Sequence, residues 1–330
     1  MKVLNDYRSK RAVLIGLTLV SLVSPKSDLA ASEVPASRFA GPFVRVLGSV
    51  QDGGMPHAAC NHALCLKATE NPELRLTVAS LALIDPSTNQ VYLFDATPDI
   101  REQLVALADV RAAPVGRVDR APLAGVFLTH AHIGHYLGLS FFGFEAVSSN
   151  NLPVYSTPRM SAYLRSNGPW SQLVEMKNID LRESPPGKRI EVIPGVGVTP
   201  IAVPHRDELS DTVGFLIQGP SRSLFYVPDT DNWAAWSRPI EEVIQDVEIV
   251  LLDGTFYSAD ELPGRSVAEI GHPLITDTMR RLEGLVQEGK KIYFTHLNHS
   301  NPGLDPSSAE RREIEERGFR IVVEGQEFPL

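Results

Sequence analysis

Three histidines stand within six residues of the sequence: His130, His132 and His135. Neutral imidazole is the commonest protein ligand for zinc-like ions. The apolar run 122–128 predicts a buried strand, and a helical pattern begins at Tyr136, so the histidines are predicted in a strand-to-helix loop. His130 and His132 lie two apart in an extended segment and can bind one ion, whereas His135 points toward a second ion or the substrate. The spacing predicts a metal site, with a histidine-rich surface loop as the alternative.

Four further strands are predicted to end in a side chain that can bind a metal ion. In chain order these side chains are His205, Asp229, Asp253 and His296. Strand ends and loops gather at one edge of a layered α/β protein, and ligands bind there. A single strand-end aspartate is often only a helix cap or a turn former. Because a fifth strand leads into His130, we expect one shared site.

Apolar alternation and turn residues predict the elements that position these side chains. Hairpins are predicted from 77–85 with 91–95, from 190–193 with 196–203, and from 212–218 with 223–227. Helices are predicted at 98–108, with Thr97 as N-cap, and at 157–165. The glycines and proline of 51–57 predict a tight loop that either approaches a ligand, with His57 as a candidate, or is a plain turn.

The two cysteines of the chain, Cys60 and Cys65, flank His62. A lone pair of cysteines in an oxidising compartment usually indicates a disulfide. Three soft or borderline ligands within six residues have the type and spacing of a small structural zinc knuckle. The sequence favours zinc and leaves the disulfide open.

Composition indicates a globular protein with a large core. The chain has 330 residues, of which 43% are hydrophobic and 22% are charged, and one large domain is expected. The formal net charge is −9, without a Lys/Arg block. Nucleic-acid binding requires clustered positive charge, so a small molecule is the expected partner.

Residues 1–32 have the pattern of a signal peptide. Basic residues at 2, 8, 10 and 11 precede the apolar run 12–23, and small residues follow at 30–32. The apolar run is shorter than the roughly 20 residues that span a bilayer, so an uncleaved anchor is the weaker alternative. Cleavage near Ala31 or Ser32 would release residues 33–330 as an exported, periplasmic domain without a stable membrane anchor.

The histidine and aspartate pattern resembles the metallo-β-lactamase fold superfamily. Its signature is HxHxDH, then a distant His, an Asp and a last His, and the matching residues are His130, His132, His135, His205, Asp229 and His296. The resemblance implies an α+β fold, a four-layer αββα sandwich. Gly134 stands where the motif has Asp, so one carboxylate of the second metal position is missing.

Within the superfamily, residues 43–305 most resemble the coenzyme PQQ synthesis protein B branch, which is related to PhnP-type phosphodiesterases. The resemblance is carried by Gly53-Gly54, the cysteine cluster, Asp253-Gly-Thr, Gly271-His272 and the segment 296–302. It implies a knuckle of Cys60, His62 and Cys65 with His299 as fourth ligand. It also implies that His272 is a non-ligand histidine that protonates a leaving group.

The resemblance assigns the first metal position to His130, His132, His205 and Asp229. The second retains His135, His296 and the bridging Asp229, and water, Asp253 or another group would have to complete it. We therefore expect one zinc ion at the catalytic site and leave two open. Iron or manganese would also suit these ligands.

The function expected is hydrolysis of a small ester, lactone or phosphodiester-type substrate. A metal ion lowers the pKa of bound water from about 16 to about 7 and so supplies a metal-bound hydroxide. Asp229 would orient that water, and His272 would act as general acid. One alternative is an iron-dependent oxygenase or hydroxylase, because the family has been linked to oxidation of a tyrosine-containing peptide; export argues against that biosynthetic role. The other is a non-catalytic periplasmic protein that binds a small molecule.

Overall fold

The computed structural model describes residues 39–110, 122–262, 264 and 271–330, so the predicted signal peptide, residues 1–32, lies outside the described residues. The first seven strands in chain order are β1 Phe43–Gly48, β2 Ser80–Asp85, β3 Gln90–Phe94, β4 Gly125–Phe127, β5 Leu152–Ser156, β6 Ile179–Glu183 and β7 Ile190–Ile193. The next seven are β8 Val196–Ala202, β9 Val213–Gln218, β10 Ser223–Val227, β11 Ile249–Asp253, β12 Lys291–Thr295, β13 Arg320–Ile321 and β14 Glu327–Pro329.

The helices are mostly short. They are α1 Ala63–Glu70, α2 Ile100–Val105, α3 Ile133–Tyr136, α4 Pro158–Ser166, α5 Trp170–Glu175, α6 Ile240–Val243, α7 Ile275–Gln287 and α8 Ala309–Glu316. Among the described residues no helix has the length and apolar character needed to span a membrane.

The strands form two mixed sheets with the same succession of pairings. The first sheet has the order β14-β1-β2-β3-β4-β5-β6 and the second β7-β8-β9-β10-β11-β12-β13. In each sheet the first three pairings are antiparallel and the last three are parallel. The parallel strands end at one edge of each sheet, where ligands gather in layered proteins.

Three hydrophobic clusters divide the fold into four layers. Side chains alternate along each strand, so Leu81 and Leu83 of β2 face the second sheet, whereas Ala82 and Ile84 face helices. The cluster between the sheets joins β1–β4 to β8–β11. The outer clusters pack α4 and α5 on the first sheet, and α6, α7 and α8 on the second. The predicted αββα sandwich is confirmed.

All three predicted hairpins form, and the helix predicted at 157–165 begins at Pro158 with Thr157 as its N-cap. The prediction for 98–108 was too long at both ends, because the helix spans Ile100–Val105. The Thr97 hydroxyl does accept from the Asp99 amide at 3.1 Å, which is the contact of an N-cap, and it donates to the Gln103 side chain. Residues 98–99 form a turn between Thr97 and the helix.

Candidate metal centre

The ends of strands from both sheets bring the predicted ligands together. The β4 strand leads into His130 and His132, and His135 lies in α3. Strand β8 leads into His205, β10 into Asp229, and β12 into His296. Their positions depend on the sheet pairing, so a shift of one strand would remove a ligand.

The first group consists of His130, His132, His205 and Asp229, whose ligand atoms all lie within 4.8 Å of one another. Asp229 Oδ2 lies 3.3 Å from His130 Nε2 and 3.2 Å from His205 Nε2. His132 Nδ1 lies 2.8 Å from His130 Nε2 and 3.2 Å from His205 Nε2. Ligand atoms of a tetrahedral zinc ion lie about 3.3 Å apart, since each bond is about 2.0–2.1 Å long. The three imidazoles and the carboxylate therefore suit one divalent ion.

Polar groups orient the outer nitrogens of two of these three imidazoles. Thr129 Oγ1 lies 3.0 Å from His130 Nδ1, and Glu208 Oε2 lies 3.2 Å from His132 Nε2. Such contacts fix which ring nitrogen remains for a metal ion. They assign His130 Nε2 and His132 Nδ1 to the centre.

Burial favours the neutral, ligating form of His130. Its pKa lies well below the usual range, first because burial disfavours the charged ring and then because His135 lies beside it, although Asp229 opposes both effects. The pKa of Asp229 also lies well below its usual value. Burial alone would raise it, but the surrounding histidines, His272 first among them, outweigh burial. At neutral pH the centre thus offers a free imidazole nitrogen and an ionised carboxylate.

A second group consists of Asp52, His135 and His296, again within 4.8 Å of one another. Asp52 Oδ1 lies 3.5 Å from His135 Nε2 and 3.6 Å from His296 Nε2. His135 Nε2 also lies 3.8 Å from Asp229 Oδ2, which connects the two groups. Asp52 was not predicted as a site residue. In the sequence, only the tight loop predicted at 51–57 indicates a site near Asp52, and the candidate residue predicted in that loop is His57.

Asp95, at the end of β3, orients His135 and the histidine loop and was likewise missed. The Asp95 carboxylate is fully buried and accepts from the Thr129 amide at 2.8 Å, while His135 Nδ1 lies 2.7 Å from its other oxygen. Asp95 and His296 both have positive φ, 66° and 61°. Non-glycine residues in this region cluster at functional sites, where the surrounding structure holds them.

His272 lies beside the centre and belongs to a further group with Asp229, Asp253 and His296. Its Nδ1 lies 2.8 Å from Asp253 Oδ2 and 3.2 Å from Asp229 Oδ1. Burial alone would lower the pKa of His272, but Asp253 and then Asp229 raise it to about 9. A raised pKa favours the protonated ring, which is the form that the predicted general acid requires. It also lines a depression of about 240 Å³ that adjoins the centre.

The cysteine cluster forms a separate group. Cys60, Cys65 and His299 place their ligand atoms within 4.8 Å of one another, and both cysteines are free, so no disulfide joins them. The Cys60 sulfur accepts from the His62 amide at 3.2 Å, and the Cys65 sulfur from the His57 amide at 3.4 Å. The His62 ring lies at the margin, with its centroid 6.3 Å from that of His299, compared with 4.2 Å for His57. Three of the four predicted knuckle ligands are thus brought together, and His62 as a ligand stays a prediction.

We expect Cys65→Ser to release one zinc equivalent per chain and to lower the melting temperature by at least about 5 °C. Serine is a poor zinc ligand, and a structural zinc ion contributes directly to folding free energy. Elemental analysis and thermal denaturation measure the two effects. Ala63→Ser, at an exposed position of the same helix, is the control and should change neither. An unchanged metal count in Cys65→Ser would contradict the zinc knuckle.

A family model and several relatives match this chain. The beta-lactamase superfamily domain model matches residues 90–297, which include the six motif residues from His130 to His296. The coenzyme PQQ synthesis protein B of Pseudomonas fluorescens is 29% identical over 315 residues, covering 87% of this chain and 100% of that protein. The protein of the same name from Methylorubrum extorquens is 26% identical over 312 residues, covering 87% and 99%.

Solved structures agree with the fold. The Zn(2+)-bound PqqB of Methylobacterium extorquens superposes with a TM-score of 0.74 at 24% identity, covering 87% of this chain and 100% of that one. A diphosphatase from the PhnP family superposes with a TM-score of 0.61 at 20% identity, covering 88% and 97%. Since the matched segment spans more than half of the chain and carries the motif, this protein belongs to the metallo-β-lactamase superfamily, and it is similar to the coenzyme PQQ synthesis B proteins along 87% of its length.

Proposed function

We propose that the protein is a metal-dependent hydrolase acting on a small ester, lactone or phosphodiester-type substrate. The observation that carries the proposal is the first group, in which three imidazole nitrogens and Asp229 Oδ2 lie at the mutual separations of zinc ligands. A divalent ion bound there supplies a Lewis acid and a water of lowered pKa. Zinc suits the ligand set, and iron or manganese are further candidates.

The chain's own residues supply the proton transfer. Protonated His272 carries an N–H on each ring nitrogen, and Asp253 accepts the one on Nδ1. The Nε2 proton remains for a leaving group, which gives His272 the role of general acid. Asp229 Oδ1 has no hydrogen-bond partner among the described residues, so it can orient a water molecule.

We also propose that the mature protein is exported. The basic and apolar pattern of residues 1–32 supports this proposal. The formal charge of −9 supports a small-molecule partner rather than a nucleic acid.

An iron-dependent oxygenase is the second candidate. Similarity to coenzyme PQQ synthesis B proteins along 87% of the chain favours it, and imidazole and carboxylate ligands suit ferrous iron as well as zinc. The metal of the purified protein separates the two candidates, because zinc favours hydrolysis and iron favours oxidation.

The hydrolase proposal is tested with His132→Ala. Turnover of at least one class in a panel of esters, lactones, lactams, thioesters and phosphodiesters should fall by a factor of about 1,000, since loss of a metal ligand removes the Lewis acid. Kinetics measure the effect, and circular dichroism should show an unchanged fold because His132 is partly exposed. Arg165→Ala, exposed at the end of α4, is the control. Full activity of His132→Ala would contradict the assignment of His132 as a ligand of a catalytic metal ion.

A further inference from the structure

In the second group, the carboxylate of Asp52 fills the space that a side chain at position 134 would need. A Cβ atom built on Gly134 would lie 2.0 Å from Asp52 Oδ1 and 2.9 Å from Asp52 Cα. No side chain fits at position 134 while the loop of Asp52 remains in place. The carboxylate missing from the motif at 134 is therefore replaced, in the same volume, by a carboxylate that arrives from a loop 82 residues earlier in the sequence.

Three atoms that face one another in this group lack hydrogen-bond partners among the described residues. They are Asp52 Oδ1, His135 Nε2 and His296 Nε2, and all three are buried. Both histidine side chains are fully buried. Leaving their nitrogens without a hydrogen-bond partner or a metal ion therefore costs free energy. The separations of 3.5 and 3.6 Å exceed a hydrogen bond but match two ligands of one divalent ion, for which about 3.3 Å is expected.

The carboxylate of Asp253, which also lies near His296, already accepts hydrogen bonds on both oxygens. Its Oδ1 accepts from the amide and hydroxyl of Thr255 at 2.9 and 2.7 Å. Its Oδ2 accepts from the Thr230 amide at 3.1 Å and contacts His272 Nδ1 at 2.8 Å. An oxygen that already accepts two hydrogen bonds has no lone pair left for a metal ion. Asp52 Oδ1 accepts none, which makes Asp52 the available carboxylate.

Backbone pairing holds the Asp52 loop next to His296. The Gln51 amide donates to the Leu297 carbonyl at 3.0 Å, and the Leu297 amide donates to the Ser49 carbonyl at 3.0 Å. In this parallel pairing Val50 lies opposite Leu297, so Asp52 follows the paired segment, His296 precedes it, and the two backbone segments are held side by side. The carboxylate is positioned by the fold rather than by chance contact of a surface side chain.

We propose that Asp52 is a relocated metal ligand that replaces the aspartate absent at Gly134 and completes a second metal position with His135, His296 and the bridging Asp229. The centre then holds two divalent ions, not the single ion expected from the motif alone. The inference rests on the metal centre of the proposed function but not on its reaction, because its test counts metal ions.

The test compares the purified full-length protein with Asp52→Ala and Asp52→Asn, each loaded with zinc and freed of weakly bound ions. We expect both variants to hold one zinc equivalent fewer than the parent protein by elemental analysis. Cobalt titration followed by visible absorption gives an independent count, since each cobalt site with imidazole and carboxylate ligands absorbs. Circular dichroism establishes folding, and Asp52→Asn preserves the shape of the side chain if Asp52→Ala fails to fold. Asp180→Asn, an exposed carboxylate on β6, is the control.

A double variant provides the decisive comparison. Asp52→Gly with Gly134→Asp returns the carboxylate to the motif position and removes the clash, so it should regain the lost equivalent. Gly134→Asp alone should not gain metal, because its new side chain collides with Asp52. An unchanged zinc count and unchanged affinity in Asp52→Ala would overturn the proposal. A lost equivalent in a protein that hydrolyses nothing would leave the metal assignment standing and reject only the reaction.

Discussion

Asp229→Asn should lower kcat/KM by at least about 1,000-fold, corresponding to about 4 kcal/mol of lost transition-state stabilisation. Asp229 Oδ2 lies within 3.2–3.9 Å of nitrogens from four histidines, and it is the atom that connects the two groups of candidate ligands. An asparagine retains the shape but removes the charge that would balance a buried metal ion. Kinetics on the substrate class found with the panel measure the loss, and elemental analysis should show fewer bound ions.

The control for this prediction is Asp180→Asn, which makes the same chemical change on the exposed face of β6. Surface substitutions of this kind change stability by less than about 0.5 kcal/mol, and activity should be retained. Activity of Asp229→Asn within tenfold of the parent protein would contradict the assignment of Asp229 as the shared ligand.

Asp95→Asn should weaken metal binding at the second position about 10- to 100-fold and destabilise the fold by on the order of 2 kcal/mol. One Asp95 oxygen accepts from the Thr129 amide, and the other faces His135 Nδ1. An asparagine presents one donor and one acceptor. Its NH₂ group would either meet the Thr129 amide, where two donors face each other, or face His135 Nδ1, which can accept only if the ring carries its proton on Nε2, the nitrogen that faces the second group. Asparagine tolerates the positive φ of this residue, which isolates the hydrogen-bonding effect.

Asp85→Asn is the matched control for Asp95→Asn. Asp85 is also a buried aspartate at the end of a strand, but it accepts hydrogen bonds from Ser87 and Thr88 in a turn away from the centre. We expect Asp85→Asn to lower stability without changing zinc affinity. Competition with a chromophoric chelator measures affinity, and urea unfolding measures stability. Equal zinc affinity of Asp95→Asn and the parent protein would show that Asp95 does not orient a ligand.

Strand-end residues could be predicted from the sequence because local patterns encode them. Apolar alternation and turn residues locate the ends of β8 and β10, and His205 and Asp229 follow there. Sheet register then brings such ends to one edge. The ligands of the first group were found this way, and their side chains do meet.

Asp52 and Asp95 could not be predicted in the same way, because their roles depend on contacts between distant segments. Asp95 contacts a ring 40 residues later, and Asp52 approaches Gly134 across two loops. Each looks locally like a turn residue, which aspartate often is. The sequence shows that a carboxylate is missing at Gly134, but the residue that fills its space depends on how the loops pack.

The sequence also does not show which histidine ring lies in the cysteine cluster, although these residues are close together along the chain. His62 and His57 lie at similar separations from Cys60 in sequence, yet the His57 ring is the one that lies near His299. Ring positions in an irregular loop depend on backbone turns that spacing does not define.

Because the ligands are divided between the two sheets, metal binding would contribute to the free energy of folding. His130, His132 and His135 belong to the first sheet's segments, whereas His205 and His296 belong to the second. A complete metal position therefore exists only when both sheets have formed and packed together. An ion that binds this state and not the unfolded chain stabilises it by RT ln(1 + [M]/Kd), about 2.7 kcal/mol when the free ion is at 100 times Kd. Removal of the ion by a chelator would thus weaken the association of the two sheets. The concentration of free metal ions around the protein would determine part of its free energy of unfolding.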